Sequence, residues 1–187
     1  MEPTLLIGDH ILAPGGERIG DLRRGDVIVF HLPPDPSVVL VKRLIGLPGD
    51  HLRISNGALI VNSKTMAEPY VQHLAGRNVS AYLNDFPLHA AGEEKLILPD
   101  GRKMLEQYAT SGELIIPAGG YFVLGDSRDN SYDSRVWGLV APSQIIGLAQ
   151  EIVSSDDPGT KMARADRVHI LVKRGSLPAS SEHGVAR

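Results

Sequence analysis

VVLVKRLIGLPGD, residues 38–50, is an apolar strand pattern that contains two adjacent cations, Lys42 and Arg43. Successive side chains of a strand point to opposite faces, so Lys42 shares a face with Leu44 and Arg43 shares the other with Ile45. Whichever face is the core therefore receives a cation. An arginine stays charged and requires a carboxylate partner, but a lysine can respond to burial by giving up its proton. The stretch makes Lys42 a candidate base, and a solvated edge-strand lysine is the alternative.

Short strand patterns separated by turn residues surround this stretch. Asp26–Leu32 is a predicted strand, and the stiff loop Pro33–Pro36 after it predicts a long hairpin with the strand that carries Lys42. Asn56-Gly57, between the strand patterns at residues 50–55 and 58–61, is the strongest short-range hairpin signal in the chain. Further strands are predicted at His10–Ala13, Leu114–Ile116, Tyr121–Leu124 and Ile145–Val153, and Arg167–Lys173 is predicted as a last strand or an edge element. The sequence therefore predicts a mainly antiparallel β architecture.

The strand pattern weakens between residues 63 and 113, where turn residues dominate and Lys103–Thr110 is one helical candidate. We interpret residues 63–113 as a small inserted cap subdomain. Residues 1–62 and 114–174 then form the β core, and residues 175–187 form a disordered tail.

Composition excludes several classes of protein. The chain has 187 residues, which suits one domain with an insertion, and its net charge of −3 predicts no nucleic-acid partner. The absence of cysteine excludes disulfides and thiolate zinc sites, and the seven histidines form no metal-binding motif. No apolar run approaches the ~18 residues that span a bilayer, so the chain as given is expected to be soluble.

The densest polar block, Gly125–Gly138, directly follows an apolar strand pattern and contains three aspartates and two arginines. Such charges can neutralise one another in a partly buried turn. A calcium-binding loop that began at Asp126 would need an oxygen ligand at its third position and a glycine at its sixth. This block has Arg128 and Ser131 at those positions. An Asx-rich surface turn without chemistry remains the other interpretation.

Four blocks resemble, in the same order, the motifs of bacterial signal peptidase I, the serine–lysine protease family that removes signal peptides from exported proteins. They are Met1–Leu5, Arg24–Phe30, Lys42–Asp50 and Gly125–Gly138. The resemblance covers roughly residues 1–153. It implies an antiparallel β catalytic core with an inserted β-rich cap, cleavage after Ala-x-Ala by a Ser/Lys dyad, and no cofactor.

The resemblance also implies residue roles. Lys42 would be the general base, and Ser131 would hydrogen-bond its amine. Asp133 and Arg135 would form a supporting ion pair. The side chains that would shape the loop are Asp126 and Arg128, and those that would line shallow pockets for small substrate residues are Met1, Leu5, Leu40 and Val41.

The sequence departs from the family pattern in one respect. The nucleophilic serine is expected immediately before Met1, and the resemblance implies an amino-terminal membrane helix further upstream; neither is in this chain. We therefore expect the chain as given not to cleave. A start site placed too late, a truncation and a non-cleaving relative are the three explanations. In the full-length protein, the resemblance implies a plasma (inner) membrane anchor, a catalytic core on the outer or periplasmic side, and signal peptides as partners.

Two other functions fit parts of the sequence. A self-cleaving repressor-type protease also pairs a serine with a lysine in a β core, but no DNA-binding domain or self-cleavage loop is visible. A β-rich module could instead bind extended peptides by strand addition without hydrolysing them.

Overall fold

The computed structural model describes residues 1–15, 21–74, 81–88, 93–172 and 174–175, and within them the fold is mainly antiparallel β, as predicted. The strands are β1 (Asp9–Leu12), β2 (Val27–Leu32), β3 (Asp35–Gly46), β4 (His51–Ser55), β5 (Ala58–Val61), β6 (Lys64–Thr65), β7 (Ala109–Thr110), β8 (Glu113–Ile115), β9 (Phe122–Leu124), β10 (Ile145–Leu148) and β11 (Glu151–Ser155). The helices are α1 (Ala81–Asn84), α2 (Pro99–Tyr108) and α3 (Ser134–Trp137). The strands form three sheets, ordered β10-β2-β3-β9, β6-β5-β4-β8-β7 and β1-β11.

The long hairpin of β2 and β3 forms the centre of the first sheet, as predicted. Its loop is shorter than predicted, because only residues 33 and 34 form the turn and β3 already begins at Asp35. Pro36 is tolerated in the strand because a register shift between His31 and Leu32 leaves its missing N–H without a ladder partner. The strand that carries Lys42 is therefore twelve residues long.

The second sheet is built around the predicted hairpin of β4 and β5, in which Ser55 pairs with Ala58. Asn56 and Gly57 have φ angles of 49° and 78°, as a two-residue hairpin turn requires. Helix α2 confirms the helical candidate but begins four residues earlier than predicted, with Pro99 in its first turn. The sheet combines β4 and β5, which precede residue 63, with β6 and β7, which lie within residues 63–113. The division into core and cap stays a prediction.

The predicted single strand Ile145–Val153 is wrong, because the chain changes sheets within it. Strand β10 pairs with β2, whereas β11 pairs with β1 at the start of the chain. The burial patterns of β10 and β11 do not alternate regularly, and residues 145–153 contain no proline that would mark the break.

Of the predicted last element, the described residues 167–172 form an edge element instead of a strand. His169 and Val172 donate backbone hydrogen bonds to Ile152 and Gln150, and Leu171 makes an isolated bridge to Glu151. A positive φ of 64° at His169 interrupts regular pairing. Lys173 and the predicted tail from residue 176 onward lie outside the described residues.

Both faces of β3 are packed, so each face receives a cation. Leu44 joins the buried cluster around Phe30 and Trp137, whereas the adjacent Ile45 joins the cluster around Leu52 and Phe122. Burying both faces places Lys42 and Arg43 in two different environments.

Candidate active site

Lys42 lies where β3 meets the Gly125 block. It pairs with Ile28 of β2, and the last pair of β3 with β9, Arg43 with Leu124, brings it beside Gly125. A Cβ atom at Gly125 would lie 2.2 Å from Ser131 Oγ and 3.9 Å from Lys42 Cδ. Only glycine therefore allows Ser131 to pack this closely beside Lys42.

The amine of Lys42 lacks a direct partner within the described residues. Within the described ranges its amine makes no hydrogen bond and no ion pair, and the side chain is partly buried. Burial lowers the pKa of Lys42 below its ordinary value; the charges of Asp133 and Asp126 oppose this shift, and Arg135 adds to it. The site therefore favours a neutral amine, the form that can accept a proton.

Ser131 lies close to Lys42 without the expected contact. Its Oγ is buried and forms no hydrogen bond within the described residues, although the nearby hydroxyl helps to lower the pKa of the Asp133 carboxyl. The predicted hydrogen bond to the Lys42 amine is therefore not formed in this conformation. A buried hydroxyl without a partner retains its capacity to donate to an incoming group.

Asp133 and Arg135 form a buried ion pair beneath this pair of residues. Their side chains are fully inaccessible, and two hydrogen bonds of 2.9 and 2.8 Å join them. Burial raises the pKa of the Asp133 carboxyl, but the Arg135 guanidinium outweighs it and holds the pKa below the ordinary value. Arg135 also donates to the backbone oxygens of Leu83 and Arg128, so the pair fixes the turn in which Ser131 lies.

Asp126 pairs with Arg43 of β3, which lies outside the Gly125 block. Two hydrogen bonds of 2.8 and 2.7 Å join the carboxylate to the guanidinium, which also donates to the Gly25 carbonyl. The Thr4 hydroxyl donates to Asp126 and accepts from Arg43, and the Tyr70 ring lies 3.8 Å from Arg43 Cζ. The carboxylate that Arg43 required is thus 83 residues away in sequence.

Arg128 likewise finds its partner elsewhere, in Glu68, with hydrogen bonds of 2.9 and 2.5 Å. The expected mutual neutralisation within the block is thus correct only for Asp133 and Arg135. Sequence reasoning missed Thr4, Glu68 and Tyr70. The one signal available for Glu68 was its position beside Pro69 in a stretch of turn-like sequence, and that signal is common in surface loops.

A groove of about 370 Å³ lies against Val41, the neighbour of Lys42 in β3; Lys42 itself does not line it. Of the predicted substrate-binding residues, Met1, Leu5 and Val41 line it, together with Ser127 and Asn130 of the Gly125 block. Leu40 does not; it packs against the buried cluster of Ile28 and Phe30. Burial, and then the charge of Lys42, lower the pKa of the Met1 amino group, which belongs to a residue that lines the groove.

A model of the family described as "Signal peptidase, peptidase S26" matches residues 1–154. This chain belongs to the signal peptidase family. The match ends within β11, so it includes Lys42, Ser131 and the groove.

Curated relatives named signal peptidase I are similar over most of the chain. The Pseudomonas fluorescens protein is 37% identical over 175 residues, covering 80% of this chain and 60% of that protein. The Pseudomonas aeruginosa protein is 38% identical over 185 residues, covering 84% and 63%. Signal peptidase IB of Staphylococcus aureus is 34% identical over 148 residues, covering 79% and 69%. The chain thus spans about 60% of the length of the Pseudomonas relatives.

One solved structure, a signal peptidase I from Enterococcus faecalis V583, is 34% identical. The match covers 70% of this chain and 98% of that chain, with a TM-score of 0.49.

No helix in the described residues is long and apolar enough to cross a membrane. No group of three or more histidine, aspartate or glutamate side chains in those residues could hold a metal ion.

Proposed function

We propose that the protein to which this chain belongs is a serine endopeptidase of the signal peptidase I type. Lys42 would be the general base, and the nucleophile would be a serine immediately before Met1. The observation that carries the proposal is the position of Lys42 beside Gly125 and Ser131, where it is partly buried and has no hydrogen-bond partner in the described residues. Its charge also acts on the amino group of Met1 and lowers the pKa of that group. A residue joined to Met1 would reach the Lys42 amine.

The chemistry needs only these two groups and a means of orienting them. A serine hydroxyl becomes a strong nucleophile when an adjacent base takes its proton, and a neutral lysine can be that base. The proton would move from the serine to Nζ of Lys42 as the oxygen attacks the peptide carbonyl, and then from Nζ to the leaving amine. A water molecule, deprotonated by the same lysine, would then hydrolyse the acyl-serine and return the proton to the serine oxygen. Ser131 would hydrogen-bond the lysine during this cycle, using the hydroxyl that has no partner in the present conformation.

Signal peptides of exported preproteins are the proposed substrates. Met1, Leu5 and Val41 supply an apolar wall to the groove, against which small side chains would pack. Shallow pockets exclude large side chains by steric overlap, which would favour cleavage after Ala-x-Ala. We propose a membrane anchor upstream of Met1 and a catalytic core on the outer face of the plasma membrane.

The test is cleavage by a longer protein that includes the upstream coding sequence. We expect that sequence to encode a serine directly before Met1, and the longer protein to cleave a peptide after Ala-x-Ala. Lys42→Ala should lower kcat on the order of 10³-fold or more, since it removes the base. Lys103→Ala, at an exposed lysine of α2, is the matched control and should leave kcat unchanged.

A folded longer protein that binds the peptide without cleaving it would contradict this function. That result would favour a non-cleaving relative that holds extended peptides in the same groove.

A further inference from the structure

The segment Glu68–Leu74, which we name the strap, is fastened to the Gly125 block by its backbone. Gln72 N–H donates to the Asp126 carbonyl at 2.9 Å, and Arg128 N–H donates to the Gln72 carbonyl at 3.1 Å. These two bonds form a parallel bridge between Gln72 and Ser127. The strap therefore acts as a short extra strand along the stretch between Gly125 and Ser131.

Side chains of the strap hold the same stretch from both sides. Glu68 binds Arg128 through two oxygens, and its side chain is 8% exposed against 3% for Arg128. Tyr70 donates its hydroxyl to Glu68 at 2.9 Å and places its ring against Arg43. A continuous path of contacts thus runs from Asp126 through Arg43, Tyr70 and Glu68 to Arg128.

The far end of the strap makes a third attachment. Asp129 accepts the Leu74 N–H at 2.7 Å, and its other oxygen lies 3.0 Å from Nδ1 of His73. Asp126, Arg128 and Asp129 are therefore all held by strap residues or by Arg43, against which Tyr70 packs.

None of the strap residues lines the groove, so they would act through the residues they hold. The stretch that they hold ends at Ser131, which packs against Gly125 beside Lys42. If the stretch moved away, Ser131 would leave Gly125 and water would reach the lysine. Paired, charge-assisted hydrogen bonds such as those of Glu68 and Arg128 resist such a movement.

We propose that Glu68 and Tyr70 are positioning residues, which hold residues 125–131 so that Ser131 stays packed beside Lys42 and excludes water from its amine. This role rests on the proposed function, in which Lys42 is the base. Loosening the strap would hydrate the amine and bring the pKa of Lys42 back towards its ordinary value.

The first experiment measures the pKa of Lys42 by side-chain NMR in the chain as given, and it requires no activity. The double variant Glu68→Gln/Arg128→Gln removes both charges of the pair and keeps the net charge constant. We expect it to raise the pKa of Lys42. The matched control is Arg24→Gln/Asp50→Asn, which removes an ion pair of similar burial, with hydrogen bonds of 2.7 and 2.9 Å, and should leave the pKa of Lys42 unchanged.

Two outcomes would overturn the proposal. One is an unchanged pKa of Lys42 in the strap variant, and the other is an equal rise in the control, which would indicate general loosening. If the double variant does not fold, the pKa of Lys42 is measured in Tyr70→Phe, which removes only the hydroxyl and keeps the ring against Arg43. An unchanged pKa, or an equal rise in the control, would again overturn the proposal.

The second experiment uses the longer protein with the upstream serine. We expect the strap variant to lower kcat on the order of tenfold or more and to change KM by less than about threefold, and the lower pH limb of kcat/KM should move with the pKa of Lys42. A larger effect on KM than on kcat would contradict a positioning role. If the parent protein does not cleave at all, the proposed function fails, while the NMR measurement still decides whether the strap controls Lys42.

Discussion

Arg43 and Lys42 are neighbours in β3, but their surroundings differ in almost every respect. The Arg43 guanidinium has two bonds to Asp126, one to Gly25, one to Thr4 and the Tyr70 ring at its face. The Lys42 amine has no hydrogen bond or ion pair within the described part of the chain. Arg43 is buried and Lys42 is partly buried, so the two residues differ more in their partners than in their exposure to water.

The difference shows how one strand can hold a structural cation beside a reactive one. A charge that is surrounded by matched acceptors stays charged and contributes to rigidity. A charge without acceptors in the same strand is destabilised, and the group releases its proton more easily. Arg43 thus stabilises the fold, and under the proposed function Lys42 would be the reactive group, at some expense of stability.

Arg43→Met should have the largest effect on stability. It leaves the Asp126 carboxylate buried with only the Thr4 hydroxyl as a side-chain partner, so we expect the free energy of unfolding to fall by about 3–5 kcal/mol. Urea unfolding followed by circular dichroism measures this loss. Arg43→Lys, which keeps the charge and loses the two-bond geometry, should lose less. Equal losses in both variants would mean that the charge alone contributes nothing without the two-bond geometry.

Lys42→Met should have the opposite sign. It replaces a partly buried amine that lacks a partner with an apolar side chain of similar length, so we expect the free energy of unfolding at pH 7 to rise by about 1–2 kcal/mol. The same urea measurement compares the variant with the parent chain. A loss as large as that of Arg43→Met would show that Lys42 is a structural cation after all, and the comparison would fail.

The pH dependence sharpens this contrast. Because burial lowers the pKa of Lys42 in the folded state below 10.5, the unfolded chain binds more protons than the folded chain between the two values. The parent chain should therefore gain stability relative to Lys42→Met as pH rises through that window. The advantage of the variant should be fully present below the lowered pKa and should vanish towards pH 10.5. Unfolding midpoints of both proteins across this range test the trend, and a constant difference would contradict it.

Ser131→Ala should have the smallest effect on stability. It removes a buried hydroxyl that has no partner in this conformation, so we expect a change of less than about 1 kcal/mol, in the stabilising direction. In the longer protein the same substitution should lower kcat, since Ser131 would no longer orient the lysine. Calorimetry and a cleavage assay separate the two effects. A large loss of stability would mean that the hydroxyl has a partner in solution.

Local patterns made several features predictable. Asn56-Gly57 specifies its own turn through backbone conformation, and the β2–β3 hairpin follows from alternating apolar residues on both sides of Pro33-Pro34. The break between β10 and β11 was not predictable, since β11 pairs with residues more than 130 positions earlier. Leu40 was assigned to the substrate pockets as a role implied by the family resemblance, but the pleat of β3 turns it to the opposite face from Val41, which lines the groove.

The sequence by itself determined the strand that carries two cations, the chemical difference between them, and the family, because these depend on residue identity and short spacing. Only the tertiary structure decided which carboxylate each arginine binds. Asp126 lies 83 positions from Arg43, and Glu68 lies 60 positions from Arg128. An ion pair depends on distance in space. Because folding brings together charges that lie far apart in the sequence, their spacing along the chain does not predict the contact.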